Sequence, residues 1–112
     1  MSAKIYLASP YTDESLKVMR QRFLTTRKVA AKLLARGLLV FSPLVYSVQM
    51  EKQVGKNWQA WQAFDCSMLD WCDELWILDL PGWMTSQGVR EETIYARKLN
   101  KTIYHLDPKT VT

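Results

Sequence analysis

The chain has 112 residues, 48% of them hydrophobic, with 15 Lys and Arg against 11 Asp and Glu and a formal net charge of +4. That length predicts one domain, residues 1–112, which buries about two-thirds of its extended-chain surface and leaves no room for a second. The cysteines, Cys66 and Cys72, have neither disulfide-framework nor zinc spacing, and no stretch approaches a membrane span or a signal peptide. We therefore expect reduced thiols, no metal, and a cytoplasmic protein that does not engage a membrane.

In chain order, Lys4-Ile5-Tyr6-Leu7-Ala8 reads as a buried-type strand stopped by Ser9-Pro10-Tyr11-Thr12. Thr12 or Asp13 then caps a helix with the apolar stripe Leu16, Met19, Phe23, Ala30, Leu33 and Leu34, ending at Gly37. Its cations (Lys17, Arg20, Arg22, Arg27, Lys28, Lys32, Arg36) mostly share the polar side, so a solvated face is preferred over a nucleic-acid stripe. Leu38-Leu39-Val40-Phe41 is a second strand, cut by Ser42-Pro43. Residues 47–56 are polar and irregular, a loop with room for one helical turn. Asn57 can cap a tryptophan-rich helix running to about Cys72. The third strand is Glu74-Leu75-Trp76-Ile77-Leu78-Asp79, and Pro81-Gly82-Trp83-Met84-Thr85 is a turn. A helix from about Ser86 to Leu99 and a strand, Thr102-Ile103-Tyr104-His105-Leu106, complete the chain; His105 has no visible partner. Strands separated by helices pair in parallel through right-handed crossovers. The predicted fold is a three-layer α/β sandwich with a parallel sheet of four to five strands in flavodoxin- or Rossmann-like order 2-1-3-4(-5).

Two carboxylates stand where a core would take apolar side chains. Glu92 falls on the stripe Val89, Ala96, Leu99, and Asp65 interrupts Trp58, Trp61, Met68, Leu69, Cys72. A charge on an inward face is costly unless it is paired, hydrogen-bonded or used. In an open parallel sheet, ligands bind beyond the carboxyl ends of the strands where strand order reverses, here between residues 9–12 and 80–86. The second loop leads into a helix whose free N–H groups favour an anion, with Ser86 as cap and Gly88 allowing close backbone approach.

The run Ile5-Tyr6-Leu7-Ala8-Ser9-Pro10, the helix carrying Asp65, and Ser86-x-Gly88-Val89-x-x-Glu92-x-x-x-Ala96 together resemble the nucleoside 2-deoxyribosyltransferase superfamily. The last spacing is most similar to its 2'-deoxynucleoside 5'-monophosphate N-glycosidase branch. Leu78-Asp79-Leu80-Pro81-Gly82-Trp83 followed by Ser86 looks still more like small bacterial and phage proteins of the same fold. The likeness spans about residues 4–104. It implies Glu92, not Glu91, as nucleophile, Asp65 as the assisting acid, and Tyr6 as the tyrosine near the end of the first strand. It also implies Ser86 as a phosphate contact, with Ser9, Pro10, Tyr11, Gly88 and Val89 around the substrate. Trp83, beside the second loop, is a candidate to stack on a base. The chain departs from the pattern at Pro10, where the nucleotide hydrolases place a serine, and at Arg90 and Glu91, where relatives often carry small or aromatic residues, a difference that bears on base selection.

The function so implied is cleavage of the N-glycosidic bond of a deoxynucleoside 5'-monophosphate, with release to water or transfer to a second base, and without a cofactor. The alternative is a module that binds a nucleotide without turning it over. A homodimer or larger homo-oligomer is expected from the same resemblance.

Overall fold

The computed structural model describes residues 2–55 and 58–111. The expectations placed on Asn57 as a cap and on the Trp58 side chain lie outside the described part. The elements run β1 (Lys4–Ala8), α1 (Leu16–Ala35), β2 (Leu39–Phe41), α2 (Pro43–Val48), α3 (Glu51–Val54), α4 (Trp58–Trp71), β3 (Glu74–Leu78), α5 (Gln87–Lys98) and β4 (Thr102–Leu106), with short 3-10 turns at Trp83–Thr85 and Pro108–Thr110.

Four strands form one sheet in the order β2-β1-β3-β4, every pair parallel, as the alternation of apolar runs and amphipathic helices predicts. The two-residue period of a strand divides the side chains of β1 and β3 between two cores. Tyr6 and Ala8 join Leu75, Ile77, Leu69, Cys72, Val89 and Ala96 on the side of α4 and α5. Leu7 joins Leu78, Val29, Ala30 and Leu33 on the side of α1. Full burial of each large aliphatic contributes about 1.5–3 kcal/mol, which is why these alternating positions fix the register.

Two expectations are corrected. The cap of α1 is Ser15, whose Oγ accepts from Val18 N at 3.3 Å, while Asp13 accepts from Ser15 N at 2.9 Å one step earlier. The helix therefore begins later than read, and Leu16, at its first position, is 81% exposed instead of packing on the sheet. Residues 43–54 hold two short helices in place of most of the loop. Ser42, which ends β2, also caps α2 by accepting from Val45 N at 3.2 Å, and Pro43 suits the first helical position because its missing N–H would be unpaired there anyway. Tyr46 of α2 stacks on Phe64 of α4 with centroids 5.2 Å apart, and Phe41 of β2 packs against both. This aromatic group places α2 beside α4, where it forms one wall of a cleft.

Candidate functional site

The cleft lies beyond the carboxyl ends of the central strands, has a volume of about 380 Å³, and is bounded by α2, α4, α5 and the loop after β1. Small-molecule sites typically span roughly 300–1,000 Å³, so it suits a compact ligand. On α4, Gln62, Asp65, Cys66 and Leu69 line it at the i, i+3, i+4, i+7 spacing of one helix face. On α5 the stripe is Gly88, Glu91, Tyr95 and Lys98, with Glu92 at its edge. Ser9 and Tyr11 contribute from the loop after β1.

Glu92 is turned toward the sheet, where the Tyr6 hydroxyl donates a hydrogen bond to its Oε2. Tyr6 is fully buried at the middle of β1, so the strand sets where its hydroxyl meets the carboxylate. Glu92 keeps partial exposure through the cleft but is ringed by protein. Burial pushes its carboxyl up to about 8, opposed by the Tyr6 hydrogen bond and reinforced by the Asp65 and Glu91 carboxylates. Burial alone raises Asp65 to about 6. Burial, then the charges of Glu92 and Asp65, hold the Tyr6 phenol well above its ordinary value, so it remains a donor. Burial first and the neighbouring carboxylates second raise the Cys66 thiol, which keeps it protonated and a poor nucleophile. Three buried polar atoms on the cleft wall, Ser9 Oγ, Asp65 Oδ1 and Glu91 Oε2, have no hydrogen-bond partner among the described residues.

A family model described as a domain of unknown function (DUF1937) matches residues 3–107. The chain belongs to the DUF1937 family. Comparison with curated proteins gives no match.

In this DUF1937 domain Glu92, Asp65, Ser9, Tyr11 and Gly88 all line one cleft, and Tyr6 stands behind Glu92. Pro10, Trp83, Ser86 and Val89 do not line it. Pro10 is fully buried, and Val89 is a core residue at 2% exposure. The Ser86 hydroxyl accepts from Val89 N at 3.3 Å and so caps α5. Trp83, in its 3-10 turn, packs edge-on against His105 at 4.7 Å between centroids, and His105 Nδ1 lies 2.7 Å from Asp79 Oδ1. The Trp83 ring packs against the core there, outside the cleft.

Sequence reading marked Glu91 only as a departure from the resembled pattern and passed over Arg22. The signal for Glu91 is the second α5 stripe, Gly88, Glu91, Tyr95, Lys98, hidden because the apolar stripe one position away dominates the pattern. Arg22 was assigned to the solvated face of α1, yet its guanidinium donates to Thr12 O at 3.0 Å, Tyr11 O at 3.3 Å and Pro81 O at 3.1 Å. It ties the loop after β1 to the loop after β3. Among the described residues no group of three or more His, Cys, Asp and Glu is arranged to hold a metal, and no helix is long and apolar enough to cross a membrane.

Proposed function

We propose that this cleft cleaves the N-glycosidic bond of a small nucleoside or nucleoside 5'-monophosphate. The observation that carries the reading is the buried Glu92 carboxyl, held by the Tyr6 hydroxyl and facing the same cavity as Asp65. With Oε2 engaged by Tyr6, Oε1 of Glu92 attacks the anomeric carbon as the bond to the base nitrogen breaks. The electron pair leaves with the base, and Asp65 supplies its proton. Water then attacks the glycosyl ester, returning a proton to Asp65 and freeing Glu92; a second base in place of water gives transfer. This division of labour is that of retaining glycosidases. A cytoplasmic setting and a homo-oligomeric state accompany the reading through the superfamily resemblance.

The two carboxyls act as a pair. Below about pH 6 both are protonated and the nucleophile is lost; above about pH 8 both are ionised and the acid is lost. Between these values the pair holds one proton, which rests mainly on Glu92, and the reactive arrangement is the minor tautomer with the proton on Asp65 and the charge on Glu92. The test is base release from deoxynucleosides and their 5'-monophosphates across pH. A bell-shaped kcat/KM with limbs near 6 and 8, abolished by Glu92→Ala, is expected. Equal release by wild type and Glu92→Ala, or tight nucleotide binding without release, would overturn the proposal in favour of a binding module.

A further inference from the structure

We infer that Glu91 is a specificity-determining residue of the cleft, accepting a hydrogen bond from an amino group on the base; the inference deepens the glycosidic reading and rests on it. Glu91 and Glu92 are consecutive on α5, so their side chains diverge by about a quarter turn. Glu92 points back to Tyr6 of the sheet, and Glu91 faces the open cavity. Its Oε1 has one distant donor, Gln87 Nε2 at 3.5 Å, while its Oε2 is buried without a partner among the described residues.

Tyr95 stands four positions along the same stripe, so its side chain and Glu91 share one wall of the cleft. Leu69, Ile94 and Leu44 give the cleft apolar surface as well, which suits a flat heterocycle. An ionised carboxylate only accepts hydrogen bonds, so the edge it meets has to donate. Among the described residues of the lining, Glu91 and the ionised member of the Asp65–Glu92 pair stand against the Lys98 ammonium, although the chain as a whole carries +4. An amino group supplies the missing donor, and an analogue without it leaves a buried carboxylate oxygen bare, which is the arrangement that discriminates most strongly between related ligands.

The test uses three pairs of nucleosides that differ by one amino group: deoxyguanosine and deoxyinosine, deoxyadenosine and purine deoxyriboside, and deoxycytidine and its 4-unsubstituted analogue. Each is measured for base release and, by calorimetry, for binding, with wild type and with Glu91→Leu, which has no acceptor atom. We expect the amino member of at least one pair to be favoured about tenfold or more by wild type, with that ratio collapsing in Glu91→Leu. A purely electrostatic influence of Glu91 on Glu92 would move the pH profile equally for both members and leave the ratio intact, which would overturn the assignment. Equal or absent binding within every pair would also overturn it. Binding that discriminates through Glu91 without any base release would retire the glycosidic reading and retain Glu91 as the recognition residue.

Discussion

The raised proton affinity of Glu92 has a measurable consequence for folding. The ordinary value for this carboxyl is 4.5 and in the folded chain it lies at about 8. Below pH 4.5 folded and unfolded chains both hold the proton, and the residue has no pH-linked effect on stability. As pH rises toward 8 the unfolded chain releases the proton while the folded chain retains it, so stability falls by about 1.4 kcal/mol per pH unit. The ceiling is roughly 5 kcal/mol, reached above the folded value, and solvent entering through the cleft mouth reduces it to roughly 2–3 kcal/mol. Glu92→Gln removes the titration while its amide oxygen still accepts from Tyr6. Urea unfolding followed by tryptophan fluorescence should show the variant more stable than wild type by about 2–3 kcal/mol at pH 8.5, with the difference shrinking to within about 0.5 kcal/mol at pH 4.5. A gain equal at both pH values, or a less stable variant at pH 8.5, would refute the argument that burial of this carboxyl sets its proton affinity.

Other outcomes follow from the same contacts. Tyr6→Phe removes the donor that favours the ionised form of Glu92, so the carboxyl should titrate at higher pH in a ¹³C NMR titration, and the fold should lose about 1–3 kcal/mol at alkaline pH. Thr26→Val should raise the urea midpoint by about 1 kcal/mol of stability, because Thr26 is fully buried in α1 with its hydroxyl unpartnered among the described residues. Arg22→Ala should cost about 1–2 kcal/mol and speed amide exchange in both loops that the guanidinium ties; unchanged exchange there would remove the role assigned to Arg22.

The fold was legible where local and global signals agree. The strands read as short apolar runs bounded by Pro, Gly and Ser, and their parallel order follows from the helices between them. The start of α1 was misplaced because Thr12, Asp13 and Ser15 are all competent caps within four positions, and only Ser15 has the helix geometry after it. The helices α2 and α3 escaped because six and four residues are too few to display a periodic stripe. For the site, Glu92 and Asp65 were visible because a carboxylate on an apolar stripe breaks a strong pattern. Ser86 and Trp83 were drawn to the ligand by their position in a loop, whereas the local demands of capping α5 and packing on His105 claim them. Glu91 broke no apolar pattern, so its only signal was its departure from the resembled motif.

The most direct measurement is intact-protein and peptide mass spectrometry after incubation with a deoxynucleoside analogue fluorinated at the 2-position, which slows breakdown of a glycosyl ester. The account expects stoichiometric base release with a mass increase equal to the fluorinated sugar, located on the peptide carrying Glu92 and absent in Glu92→Gln. Base release with no covalent sugar on Glu92, or a sugar carried by another residue, would contradict it.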